Sequence, residues 1–181
     1  MKIACLGWGS LIWKPEALPV KGEWKKDGPH LAVEFCRISD GGELATALCN
    51  NVEPVSTLWA WLDCDSLEVA CQALKTREGI PQARNDGIGS LIVQQKNAGP
   101  LAEWAAAKDI DAVIWTALPA KGARGESNIP TVEETIAYLD GLSGETREHA
   151  KTYHQSVPAQ IDTAYRRAIA AALGWHPQPV L

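Results

Sequence analysis

Two short stretches of the 181-residue chain carry residue types and spacings that chemistry can use. The first is Gly7-Trp8-Gly9-Ser10-Leu11, which follows an apolar run, Lys2 to Leu6, that reads as a strand. Its two glycines permit close backbone approach, and successive N–H groups in such a turn form a nest able to hold a carboxylate or an oxyanion. The same residues also suit a plain glycine-rich turn at a sheet edge. The second stretch is Lys75-Thr76-Arg77-Glu78-Gly79. Asp65-Ser66-Leu67-Glu68 has the form of a capping box, with Asp65 accepting from the first-turn N–H groups, and Gly79 is placed to close the same helix. Glu78 then sits at the negative end of the helix dipole, which pushes a carboxyl pKa upward, the direction a general base near neutral pH requires. A surface glutamate paired with Arg77 and without function is the plain alternative.

Other chemistries fit less well. The third glycine of a dinucleotide-binding Gly-x-Gly-x-x-Gly falls on Ile12, and no helical pattern follows it. Ser10 and Ser90 lack the flanking arrangement of a nucleophile elbow. His30, His149, His154 and His176 show no i, i+4 metal-binding pair, so no metal is expected. Five cysteines without a Cys-x-x-Cys pair suit a reducing compartment, and a cytoplasmic protein is expected. With 22 acidic and 17 basic residues the chain lacks the positive field that nucleic acid or an anionic membrane would attract, so neither is an expected partner. No apolar stretch approaches the roughly 20 residues of a membrane span. Eight tryptophans could form a partner surface, but Trp59, Trp61 and Trp115 fall on expected strands, where burial accounts for them.

The elements that must position these residues follow from periodicity. Strands are expected at Lys2 to Leu6, Leu31 to Ile38, Glu43 to Asn50, Thr57 to Asp63, Ser90 to Gln94 and Asp111 to Leu118, with a hairpin turn at Asp40-Gly41-Gly42. Helices are expected from Asp65 to Gly79 and from Leu101 to Lys108. A further capping box, Thr131-Val132-Glu133-Glu134, opens a helix closed by Gly141, and a C-terminal helix near Pro158 buries Ile161, Tyr165 and Ile169. Pro119 to Pro130 reads as a mobile flap or a binding loop, with an exposed connector as the plain alternative. Strands early and helices late predict a single α+β domain over residues 1–181. Its sheet would be mixed or mostly antiparallel, curled or barrel-like, with helices laid against it.

In this order, these features resemble the gamma-glutamylcyclotransferase family. That family begins with a strand entering Tyr-Gly-Ser-Asn-Leu, here Trp8-Gly9-Ser10-Leu11-Ile12, and its meander ends in a strand and a helix closing on Glu-Gly, here Leu58 to Asp63 and Arg77-Glu78-Gly79. Gly28 to Phe35 looks like its second strand and Ala112 to Trp115 like its late strand, so the resemblance spans nearly the whole chain in short motifs. It implies an enzyme that cyclises a γ-glutamyl amide or peptide to 5-oxoproline, releasing an amine or amino acid without metal, cofactor or covalent intermediate. Glu78 would be its general acid/base. Gly7, Trp8, Gly9, Ser10 and Leu11 would bind the substrate, and Trp8 and Trp115 would be pocket walls. Trp8 removes the family's tyrosine hydroxyl and Leu11 its asparagine amide, so backbone recognition survives where side-chain recognition does not. A non-catalytic member binding a small anionic metabolite or amino-acid derivative is the alternative expectation.

Overall fold

The computed structural model describes residues 1–93 and 99–178. Its elements are β1 (Ile3–Gly7), β2 (Val20–Lys25), β3 (His30–Leu31), β4 (Val33–Ile38), β5 (Leu44–Leu48), β6 (Val55–Ser56), β7 (Leu58–Leu62), α1 (Leu67–Arg77), β8 (Ile88–Ile92), α2 (Pro100–Ala107), β9 (Ala112–Thr116), β10 (Lys121–Gly122), β11 (Gly125–Glu126), α3 (Val132–Asp140), α4 (Gly144–Ser156) and α5 (Ala164–Leu173). The class is α+β, and its sheets are open rather than closed into a barrel. The chain divides into two compact units. One is Met1–Gly7, Lys14–His30 and Ser56–Leu118; the other is Trp8–Trp13, Leu31–Val55 and Pro119–Leu181. The two-residue strands β3 and β6 pair with each other.

The first unit is built on a five-stranded sheet of order β2-β7-β1-β9-β8, in which only β1 and β9 run parallel. β1 is central and wholly buried, which explains why Ile3-Ala4-Cys5-Leu6 is apolar without alternation. Register assigns its two faces: Cys5 is opposite Ala60 on β7 and Ile114 on β9, whereas Leu6 is opposite Trp59. Paired residues share a face, so Cys5, Ala60 and Ile114 look one way, and Leu6, Trp59, Trp61 and Trp115 look the other. Trp104 of α2 meets Trp59 edge-on at 5.6 Å and covers the tryptophan face. Asp27 ties this corner together, accepting from the Trp59 indole at 2.9 Å and from Lys108, while its carbonyl accepts from the Trp104 indole at 2.9 Å.

β2 escapes the sequence reading because Val-Lys-Gly-Glu-Trp-Lys has neither alternation nor an apolar run, and as an edge strand it needs neither. The helix cap is shifted by one residue: the Ser66 hydroxyl, not Asp65, accepts from the Val69 N–H at 3.2 Å. Gln94, the last residue of the expected strand, lies outside the described residues.

The second unit carries the sheet β11-β10-β4-β5 and the helices α3, α4 and α5. The turn between β4 and β5 has Gly42 at φ +89°, as the hairpin signal requires. Pro119 to Pro130 is not an irregular loop. It folds into the β10–β11 hairpin, Lys121 pairs in parallel with Arg37, and the Arg37 guanidinium donates to the Pro119 carbonyl at 2.9 Å. The capping box at Thr131 and Glu134 is formed, and Gly141 is the residue that closes α3. Pro158 starts no helix; it lies in the connector between α4 and α5, and Gly174 ends α5 at φ +73°.

That connector is organised by Arg166, whose side chain is buried and donates to the carbonyls of Val157 (2.6 Å), Pro158 (2.7 Å), His154 (3.0 Å) and Ile161 (3.1 Å). Burial lowers the guanidinium to about 10, leaving it charged at neutral pH. His154 is buried against Phe35, ring centroids 4.7 Å apart, and burial followed by the charge of Arg166 lowers its pKa from 6.5 to about 3. The unfolded imidazole takes up its proton near 6.5, so between 6.5 and about 3 the unfolded state binds the proton and the folded state does not. This stability is complete above the upper value and declines as pH falls, by about 1.4 kcal/mol per pH unit for one proton. Glu34, also buried and pushed upward by desolvation, acts with the opposite sign above its ordinary value of 4.5. Denaturant midpoints from pH 7 to pH 5 are expected to fall in the parent chain and to fall less steeply in His154→Leu; equal slopes would refute this assignment.

Candidate functional site

Glu78 ends α1, and its backbone is fixed from both sides. Its N–H donates to the Leu74 carbonyl at 2.9 Å. Beyond it Gly79 adopts φ +66° and donates to Thr76 O at 3.1 Å, while the Ile80 N–H reaches Lys75 O at 3.1 Å. These crossed bonds form a Schellman closure, which satisfies the last carbonyls of α1 and requires a left-handed residue immediately after Glu78. The glutamate side chain is only 17% exposed, a degree of burial that a surface glutamate does not have. Buried carboxylates need partners, and Arg77 supplies one: its Nη1 is 3.6 Å from Glu78 Oε1 and its own side chain is 10% exposed. Arg77 is anchored in turn, donating from Nε (3.0 Å) and Nη2 (2.7 Å) to the Lys14 carbonyl.

Glu78 belongs to the Cys5 face of the sheet, because it and Cys71 of α1 are the charges that join burial in raising the Cys5 thiol. Gly7, two residues along β1 and opposite Leu58, lies on that same face. Trp115 does not. It is adjacent to Ile114 and so faces the other way, with its ring across Gly89 of β8, where an added Cβ would come 2.2 Å from the indole. The register therefore separates Trp115 from Glu78 by the thickness of the sheet, and Trp115 serves as packing over a glycine that has no side chain of its own.

Trp8, Gly9, Ser10 and Leu11 belong to the second unit. Trp8, Gly9 and Leu11 are buried and Ser10 is half-buried, so this is a packed turn more than an open nest. The turn is closed by the Ile12 N–H donating to Gly9 O at 3.1 Å. Two residues invisible to motif reasoning hold it. Thr46 on β5 donates its hydroxyl to the Trp8 carbonyl at 3.0 Å, and the Tyr153 hydroxyl on α4 accepts from the Thr46 N–H at 3.1 Å. Trp13 meets the Tyr153 ring edge-on at 5.5 Å. No local signal could have revealed Thr46 or Tyr153, since they lie in sequence segments far from the loop and from each other.

Among the described residues no group of three or more His, Cys, Asp or Glu is arranged to hold a metal ion, and no helix is long and apolar enough to cross a membrane. Compared with protein-family models the chain matches none, and compared with curated proteins it again matches none.

Gly9 has no room for a side chain: a Cβ there would lie 2.6 Å from Thr46 Oγ1 and 2.7 Å from the Tyr153 hydroxyl. Both atoms are fixed by hydrogen bonds, so Gly9→Ala is expected to destabilise the protein by about 1–3 kcal/mol through overpacking. A denaturant midpoint unchanged in Gly9→Ala would show that the turn yields at no cost.

Proposed function

We propose that this protein is a γ-glutamylcyclotransferase-type enzyme in which Glu78 is the general acid/base. The observation that carries the reading is the placing of Glu78: a largely buried carboxylate at the carbonyl end of α1, oriented by the left-handed Gly79 and accompanied by Arg77. Support also comes from the strand and turn, Gly7 to Leu11, that the resemblance assigns to substrate binding. A γ-glutamyl amide carries its own nucleophile, since its α-amino nitrogen can close a five-membered ring on the γ-carbonyl carbon. Proximity is thus supplied by the substrate, and the protein has to orient it, move protons from the α-nitrogen to the departing one and stabilise an oxyanion.

In this reading the Glu78 carboxylate takes a proton from the α-ammonium, freeing the lone pair that attacks the γ-carbonyl. A C–N bond forms and the carbonyl oxygen becomes an oxyanion. Collapse of that intermediate breaks the original γ-carbonyl to nitrogen bond as Glu78 returns its proton to the departing amine, and the second proton still carried by the new ring nitrogen passes to that amine, which leaves as an ammonium ion. The products are 5-oxoproline and an amine or amino acid, and Glu78 ends as it began. The resemblance gives the holding of the substrate carboxylate to backbone groups of the Gly7 to Leu11 segment, a role that does not depend on the side chains at Trp8 and Leu11. Trp115, on the opposite face of its sheet from Glu78, is left out of this assignment.

The test is to incubate the protein and its Glu78→Gln variant with γ-glutamyl amino acids, γ-glutamyl amines and glutathione, and to quantify 5-oxoproline by mass spectrometry. The parent chain is expected to release it from at least one compound, and Glu78→Gln to be slower by about 10²-fold or more. Full turnover by Glu78→Gln would remove Glu78 from its role. Saturable binding without product would identify a non-catalytic binder of the same class of ligand.

A further inference from the structure

We propose that Tyr153 is a positioning residue for the Trp8–Trp13 segment, acting through Thr46 to fix the direction in which the segment presents its backbone N–H groups to an anionic substrate. The inference rests on the reading of that segment as substrate-binding, and the geometry that carries it lies within the second unit.

A threonine hydroxyl has one proton, and Thr46 commits it to the Trp8 carbonyl at 3.0 Å. The Tyr153 hydroxyl lies 3.2 Å from the same Thr46 oxygen, so it must be the donor in that contact, while it accepts the Thr46 N–H at 3.1 Å. The order of the chain is thereby settled: Tyr153 donates to Thr46, and Thr46 donates to Trp8. In a trans peptide the carbonyl and the following N–H point in opposite directions, so pinning the Trp8 carbonyl also aims the Gly9 N–H, away from Thr46. Gly9 permits this because it brings no Cβ against the two hydroxyls. Trp13, edge-on to the Tyr153 ring at 5.5 Å, fixes the other end of the segment to the same side chain. Tyr153 is itself 8% exposed and meets the segment through Thr46 and Trp13, which makes it a positioning residue and not a catalytic one.

Three variants separate the hydroxyl relay from general packing: Tyr153→Phe and Thr46→Val remove one hydroxyl each, and Thr46→Ser keeps it. Amide hydrogen exchange is read at Gly9 to Trp13, with the strand neighbours Ala45 and Ala47 as internal reference, and KM and kcat are read from 5-oxoproline release. Tyr153→Phe and Thr46→Val are expected to speed exchange at Gly9 to Trp13 by tenfold or more with the reference amides unchanged. KM is expected to rise at least fivefold with kcat within twofold, and Thr46→Ser to behave as the parent. Unchanged exchange in Tyr153→Phe and Thr46→Val, exchange in Thr46→Ser as fast as in Thr46→Val, or faster exchange with unaltered KM would each overturn the proposal. If the parent chain releases no 5-oxoproline at all, it is the proposed activity that fails, and exchange alone then decides whether the relay holds the segment.

Discussion

A guanidinium taken out of water sets the plan of the second unit. Desolvating such an ion costs several kcal/mol, and among the described residues no carboxylate accepts a hydrogen bond from Arg166 to repay that cost. Four backbone carbonyls do so instead, two of them, His154 and Val157, at the end of α4, where carbonyls have no intrahelical partner. The cation also complements the negative end of the helix dipole. Making these four bonds from Nη1 and Nη2 at once fixes where α4 stops, how the chain passes through Pro158 and Ile161, and where α5 begins. It also fixes the angular position of α4, and Tyr153 is the residue next to His154 on that helix. The placing of the tyrosine hydroxyl, and through Thr46 that of the Trp8 carbonyl, thus follows from how the charge of Arg166 is satisfied.

Glu34 is the counterpart of opposite sign. It is 1% exposed and accepts N–H bonds from Phe35 at 2.9 Å and Tyr165 at 3.3 Å, the latter in the first turn of α5. A buried carboxylate at a helix N-terminus and a buried guanidinium at a helix C-terminus are both compensated by backbone dipoles, so neither needs the other. In the first unit the corresponding constraint is steric. β1 is buried on both faces, and strict alternation along it and its two neighbours decides which residues can meet α1 and which meet α2. That alternation, not any property of the indole, is what removes Trp115 from the company of Glu78.

Features whose cause is local were legible in the sequence. Gly79 after Glu78, the capping box at Thr131 and Glu134, and the glycine turn before Glu43 each depend on residues within a few positions of one another. What was lost depended on distant partners. β2 is polar because it lies at an edge, and its pairing with β7 is visible only once the sheet exists. Pro119 to Pro130 has the composition of a loop, yet Arg37, more than 80 residues earlier, holds it as a hairpin. The Asp65 to Ser66 shift in the cap of α1 is of another kind: both side chains can accept, and backbone geometry selects Ser66, which has the extended conformation of an N-cap. Around the candidate site, Gly79 was readable because its left-handed conformation is demanded locally by the end of α1, whereas the hydroxyls of Thr46 and Tyr153 that leave Gly9 no room for a side chain were not.

The departures at Trp8 and Leu11 take on a different weight beside this architecture. Both side chains are buried, and the Trp8–Gly9 peptide is oriented through the Trp8 carbonyl rather than through the indole. A backbone held by its own carbonyl keeps its course when the attached side chain changes from a phenol to an indole, provided the new ring packs. The groups on which the proposed chemistry draws are a carboxylate at the end of a helix and peptide N–H groups, and neither is altered by those two substitutions. What the substitutions do alter is the set of polar side-chain atoms at these two buried positions. A ring hydroxyl and a side-chain amide are replaced by apolar surface and one indole donor. On the proposed reading, proton transfer at Glu78 and the peptide N–H groups carry the chemistry whichever side chains stand at these two positions.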